Sequence, residues 1–151
     1  MIYWFTGQPG HGKTTLAKAM LAHLKASGVE AFHIDGDDLR SLTTNEDYSR
    51  EGREENIRRA QAIAHYLQAK GHTVVVSLVA PYRDLREEFK AVAEVTEIYV
   101  HTSQTRGREA KHAEDYQPPL SNFIDVDTTN KTVEESLDDV LSSLSLLSER
   151  R

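Results

Sequence analysis

Apolar runs and stretches of helical period alternate along the whole of this 151-residue chain. Short runs rich in β-branched and aromatic residues predict strands at Ile2–Thr6, Ala31–Asp35, Thr73–Val79, Glu97–His101 and Phe123–Val126. Helices are predicted between and after them, at about Lys13–Ala26, Arg50–Lys70, Arg83–Val92 and Val133–Leu146. Leu16, Met20 and Leu24 fall on one face of the first helix, and Gly28 follows as a stop. Ile57, Ile63, Ala64 and Leu67 mark the apolar face of the second, with Gly71 as its stop. The last opens on Thr132 and Glu135 at capping-box spacing and turns Val133, Leu137, Val140, Leu141 and Leu144 inward. The Val74-Val75-Val76 run suits a strand buried on both faces, as parallel sheets require. Such alternation predicts βαβ units: a five-stranded parallel sheet with helices on both faces, in three α/β/α layers. No repeat or linker divides the chain, so residues 1–151 are expected to form one domain. Residues 102–122 are polar, carry Pro118-Pro119 and lack a period, and are expected as a short lid-like insert; a plain surface excursion is the alternative.

The junction between the first strand and the first helix carries chemistry. Gly7 to Thr14 read Gly-Gln-Pro-Gly-His-Gly-Lys-Thr, which fits the phosphate-binding P-loop pattern G-x-x-x-x-G-K-[ST] in its required strand–loop–helix context. Gly7, Gly10 and Gly12 let the backbone curl until its N–H groups converge on one anion. The helix beginning at Lys13 adds the positive end of its dipole. The Lys13 ammonium can reach the β/γ-phosphates, and the Thr14 hydroxyl can ligate Mg²⁺. His11 is expected to contribute its backbone N–H, and Thr15 completes the expected ATP-binding set. ATP and Mg²⁺ are the implied cofactors, and the fold class becomes a P-loop NTPase.

Three further clusters gather near the same sheet edge. His33-Ile34-Asp35-Gly36-Asp37 leaves the second strand, where ligands bind in open α/β sheets. Either Asp35 or Asp37 can hold Mg²⁺ through water, and one can accept a proton from an attacking hydroxyl; a solvated Asp-Gly turn is the alternative. Arg53 and Asn56, three apart on the second helix, can grip phosphate or sulfate oxygens and a base or ribose. Pro81 ends the third strand and sends Tyr82-Arg83 toward the same edge. That strand ends without an acidic residue, which shifts the carboxylate role to Asp35 and Asp37. Arg106, Arg108 and Lys111 concentrate positive charge in the insert, where a lid could close them over a transferring phosphoryl group.

Composition narrows the partners. Apolar residues make 38% and charged residues 28% of the chain, as in ordinary globular domains. A net charge of −6 argues against nucleic-acid or anionic-membrane partners. Without cysteine there is no disulfide framework, thiolate zinc site or cysteine nucleophile. Met1 runs almost directly into the first strand and no apolar run reaches membrane-spanning length, so a cytoplasmic protein without a membrane anchor is expected.

Taken in order, Ile34-Asp35-Gly36-Asp37-Asp38-Leu39-Arg40, Arg53-Glu54-Glu55-Asn56-Ile57-Arg58-Arg59, Ser77-Leu78-Val79-Ala80-Pro81-Tyr82-Arg83 and Asp127-Thr128-Thr129 before Val133-Glu134-Glu135-Ser136 resemble the motifs of adenylylsulfate (APS) kinases, a branch of the P-loop kinases. The resemblance covers most of residues 1–101 and resumes at about 116. It implies ATP-dependent phosphorylation of the 3′-hydroxyl of a nucleotide bearing a 5′ mixed anhydride, with APS as the leading acceptor and a homodimer as a possible assembly. It implies Asp35 and Lys13 as catalytic residues, Asp37 near Mg²⁺, and Arg40, Tyr48, Arg53, Asn56, Ile57, Pro81 and Tyr82 around the acceptor. Three departures stand out. The family's longer lid, with its base-stacking phenylalanine, is replaced by Arg106-Gly107-Arg108-Glu109-Ala110-Lys111-His112; Ala80 replaces a serine; and the family's N-terminal extension is missing. Loss of one stacked aromatic removes about 1–3 kcal/mol of base binding. These changes keep a second acceptor, such as cytidine diphosphoramidate of capsule phosphoramidate synthesis, beside APS. A non-catalytic ATP-binding regulator is the alternative of another class.

Overall fold

Alternation within the strands decides where both cores lie. In β1 (Ile2–Thr6), Ile2 and Trp4 enter one apolar cluster and Phe5 the other; in β3 (Thr73–Ser77), Val74 and Val76 part from Val75 in the same way. Successive strand side chains point to opposite faces, so each strand feeds two cores. The computed structural model describes residues 1–107, 113 and 115–149. With β2 (Ala31–Asp35), β4 (Val95–His101) and β5 (Phe123–Asp127) these strands form one sheet in the order β2-β3-β1-β4-β5, every neighbouring pair parallel.

Helices cover both faces. Leu39 of α2 (Gly36–Thr43), Ile57, Ala60 and Ala64 of α3 (Arg50–Ala69), and Leu85 and Phe89 of α4 (Arg83–Val92) close the first core. Leu16, Ala17 and Met20 of α1 (Lys13–Ala26) and Val140 of α5 (Val133–Glu149) close the second. The expected three-layer parallel architecture is therefore the one observed. Among the described residues no helix is long and apolar enough to cross a membrane.

Several boundaries differ for physical reasons. The third strand ends at Ser77, two residues short of the prediction, because the chain turns at Ala80, whose φ of 44° lies in the left-handed region. β4 starts earlier, at Val95, because Val95 and Thr96 pair with Ile2 and Tyr3. β5 gains Asp127, α3 stops at Ala69, and α5 runs on to Glu149. The apolar face of α3 follows Ile57, Ala60 and Ala64 with Gln61, which leaves Ile63 exposed. Val133 is likewise more exposed than expected, whereas the capping box forms: the Thr132 N–H donates to Glu135 Oε1 and the Glu135 N–H to Thr132 Oγ1, each at 3.1 Å. Helix α2 was not anticipated. Its run Gly-Asp-Asp-Leu-Arg-Ser-Leu-Thr has little period, and its start is secured by Asp35, which accepts from the N–H groups of Asp37 and Asp38.

A buried charge network fastens the return of the 102–122 insert. Arg86 and Glu97 are 4% and 2% exposed, and Arg86 Nε donates to Glu97 Oε2 at 2.7 Å. Arg86 also donates to the carbonyls of Ala80 and Gln117, and Lys90 Nζ to Glu97 Oε1 at 2.8 Å. Removing one partner would leave a carboxylate half-compensated in a dry site. Arg86→Leu should lower the unfolding free energy by about 3 kcal/mol, measured as a reduced urea midpoint at unchanged slope.

Candidate active site

Strand order builds the site. β2, β3 and β1 are adjacent, and the register sets Asp35 opposite Ser77 and Ser77 opposite Phe5. The P-loop leaves β1 directly after that point. Its first glycine is obligatory: a Cβ on Gly7 would stand 2.1 Å from the Val100 carbonyl oxygen. Gly12 caps α1 with φ 98°, and no side chain caps the helix or places an acid in its first turn. The positive helix end is thus left for an external anion.

Lys13 is buried within the loop, where its ammonium donates to the Gln8 carbonyl at 3.0 Å. The Thr14 hydroxyl donates to Asp35 Oδ1 at 2.9 Å, and the Ser77 hydroxyl to the same oxygen at 2.7 Å. Asp35 Oδ2 accepts from the Asp37 and Asp38 N–H groups at 3.2 and 3.4 Å. Burial pushes the Asp35 carboxyl up, but the Ser77 and Thr14 hydroxyls, the Asp38 amide and the nearby His33 together hold it below its ordinary value. It is a carboxylate at neutral pH. Burial lowers His33 despite the charges of Asp35 and Asp38, which favour its protonation, and Lys18 lowers it further. Among the described residues no three acidic or histidine side chains cluster around a metal. The donors present, a threonine hydroxyl and a carboxylate, suit a hard cation that takes its remaining ligands from phosphates and water, as Mg²⁺ does.

The residues expected around the acceptor occupy unequal positions. Asn56 is 4% exposed; its Nδ2 donates to the Gly36 carbonyl at 3.4 Å and its Oδ1 has no hydrogen-bond partner among the described residues. Arg53 Nη1 stands 3.8 Å from Asp115 Oδ1. Burial, and then the Asp115 charge, push the Tyr82 phenol up. The Arg50 guanidinium covers the Tyr82 ring at 4.2 Å. Arg40 is drawn instead into the loop after α2: it donates to the Asn45 and Asp47 carbonyls and lies 4.0 Å over the ring of exposed Tyr48. Ile57 is turned into the core, and Pro81 is buried, its carbonyl accepting from the Gln117 N–H. Asp37 and Thr15 are exposed.

Arg106 does not sit over Asp35. It lies against the P-loop, donating to the carbonyls of His11 at 3.3 Å and Thr128 at 3.1 Å and to Gln104 Oε1 at 2.9 Å. The His11 N–H in turn bonds the Gln8 carbonyl. Arg108 and Lys111 lie outside the described residues. What sequence reasoning missed is the set of polar residues that tie these parts together. Gln8 occupies a variable position of the P-loop pattern, yet its side-chain amide clasps the insert: Nε2 donates to the Ala113 carbonyl and the Ala113 N–H to Oε1, both at 2.8 Å. The Tyr116 hydroxyl bonds Thr6 Oγ1 at the end of β1. Ser77 stood in a recognised motif without a role; its signal was its register opposite Asp35, which needs the strand pairing to be known.

A phosphate loop feeding α1, whose Thr14 bonds a carboxylate at the end of β2, with Asn56 tied to the turn beyond that carboxylate, defines a P-loop kinase: a phosphotransferase with a hydroxyl acceptor. The comparisons narrow the class. The family model for adenylylsulphate kinase matches residues 1–120, and the chain belongs to that family. It is 34% identical to the adenylyl-sulfate kinase of Picosynechococcus sp., over 95% of this chain and 93% of that protein. It is also 34% identical to that of Chloroflexus aurantiacus, over 97% and 90%. Among solved structures, the Mycobacterium tuberculosis APS kinase in complex with AMPPNP and APS is similar at a TM-score of 0.82 and 25% identity, covering 95% of this chain and 96% of that one.

The Gln8 clasp generates a local test. Gln8→Leu should accelerate amide hydrogen exchange at Ala113 roughly tenfold, the loss expected for one net hydrogen bond. Exchange in β3 should stay unchanged.

Proposed function

We propose that this chain transfers the γ-phosphoryl group of ATP to the 3′-hydroxyl of adenylylsulfate. The carrying observation is the node at Asp35, where the P-loop hydroxyl of Thr14 meets a carboxylate that caps α2, the helix whose Gly36 carbonyl takes the Asn56 amide. Lys13 and the start of α1 take the triphosphate. Thr14 and Asp35, with Asp37 nearby, would hold Mg²⁺, whose chemistry here is to neutralise charge on the transferred group. Asp35 is held below its ordinary pKa, so it is a weaker proton acceptor than a free carboxylate and a better fixed charge. Phosphoryl transfer through a loose transition state needs positioning and charge more than a strong base. Arg53 supplies a guanidinium for the acceptor's anionic end, and Asn56 Oδ1 offers a buried acceptor atom to a ribose hydroxyl or base N–H.

The insert at 102–122 acts in this reading as a lid on a single kinase domain. Its support is that the same segment bonds the donor loop through Gln8 and pairs with Arg53 of α3 through Asp115. Family membership favours adenylylsulfate over a cytidine acceptor, and over a role in binding ATP without transfer.

Incubation with MgATP should release ADP only when adenylylsulfate is present, and yield its 3′-phosphorylated product. Transfer to a 5′-activated cytidine nucleotide but not to adenylylsulfate would overturn the acceptor; no transfer to any acceptor would overturn the kinase. Lys13→Ala and Asp35→Asn should each lower kcat by about a hundredfold or more, because each removes a charge from the reacting centre. Arg53→Ala should raise the KM for the acceptor by about tenfold or more and leave the KM for ATP nearly unchanged, since it removes one charge-assisted contact.

A further inference from the structure

Behind Asp35 stands a third polar layer that the proposed reaction does not yet use. His33 Nε2 lies 2.8 Å from Ser77 Oγ, and Ser77 is 2% exposed. Ser77 Oγ lies 2.7 Å from Asp35 Oδ1, and Thr14 Oγ1 lies 2.9 Å from that same oxygen. The proton count is restrictive. An ionised carboxylate only accepts, so Ser77 must donate its single hydroxyl proton to Asp35. The proton of the His33–Ser77 bond must then come from His33 Nε2. Thr14 has the same obligation toward Asp35, so its proton points at the carboxylate and its lone pairs point away from it. Every donor in the chain His33, Ser77, Asp35, Thr14 is therefore oriented by one carboxylate.

We infer that His33 is a positioning residue of this kinase: its Nε2–H holds the Ser77 proton on Asp35 and so keeps the carboxylate's shortest hydrogen bond in place on the oxygen that also takes Thr14. With a bare Nε2, the Ser77 hydroxyl would have a second acceptor, and Asp35 Oδ1 would lose its shortest hydrogen bond. The role needs a ring nitrogen donor at the height of Ser77 in the β2–β3 register, which His33 reaches from opposite Val75 on the same strand as Asp35. Groups that orient the partners of a metal site in this way commonly contribute about tenfold or more to activity or metal affinity.

This inference rests on the reading of Asp35 and Thr14 as the phosphoryl-transfer centre, and its first test does not. Long-range ¹H–¹⁵N correlation spectra of the nucleotide-free protein report which imidazole nitrogen carries a proton. His33 should show a protonated Nε2 whose signal moves on Ser77→Ala. A protonless Nε2 in the wild type, or a signal indifferent to Ser77→Ala, would overturn the inference whatever the substrate. The second test separates positioning from packing. His33→Phe should lower kcat about tenfold with little change in the acceptor KM, and His33→Gln, which restores an N–H donor, should recover to within about threefold of the wild type. Equal kcat values in the two variants would overturn it.

Discussion

Four donors converge on the Asp35 carboxylate, and most of the site is arranged around that convergence. The hydroxyls of Thr14 and Ser77 reach one oxygen, and the amides of Asp37 and Asp38 reach the other. One group thereby ends β2, starts α2, holds the P-loop helix and ties down the end of β3. It does so as an anion at the carboxyl edge of a parallel sheet, where the helix ends supply positive dipoles and a half-buried charge is tolerated because both its oxygens are bonded. The bonds that fix it also make it a poor base, which fits a reaction dominated by position and charge.

A second constraint runs through the insert. Gln8, Thr6 and Arg86 each bond the segment between Ala113 and Gln117, from the donor loop, the end of β1 and α4 respectively. Arg53 of α3 pairs with Asp115 in the same segment. The segment thus touches both the P-loop and α3. The network at Arg86, Glu97 and Lys90 anchors the return of the chain in a dry environment, where an unpaired charge is most costly.

The fold was legible because its signals are local. Val74, Val75 and Val76 announced a doubly buried strand, and Thr132 and Glu135 announced a helix start, each within a few consecutive residues. Where period was weak the reading failed: α2 carries one buried leucine, and its real signal is a cap formed by a residue assigned to the preceding strand. Ile63, placed by spacing on one face with Ile57, Ala64 and Leu67, falls off the stripe defined by Ile57, Ala60 and Ala64.

The sequence by itself determined the phosphate loop, the parallel βαβ architecture and Asp35 as a neighbour of that loop. These follow from consecutive residues whose spacing already encodes a strand, a turn or a helix face. The tertiary structure decided which side chains those residues meet. His33 and Ser77, 44 positions apart, become partners only because β2 and β3 pair in one register. Arg40 bonds carbonyls of its own loop and Arg106 bonds the P-loop carbonyl of His11, contacts set by the path of those loops. Gln8 clasps Ala113, 105 residues away, only after the insert has returned across the sheet edge. Long-range hydrogen bonds depend on strand order and loop path, and no periodicity along a chain records either.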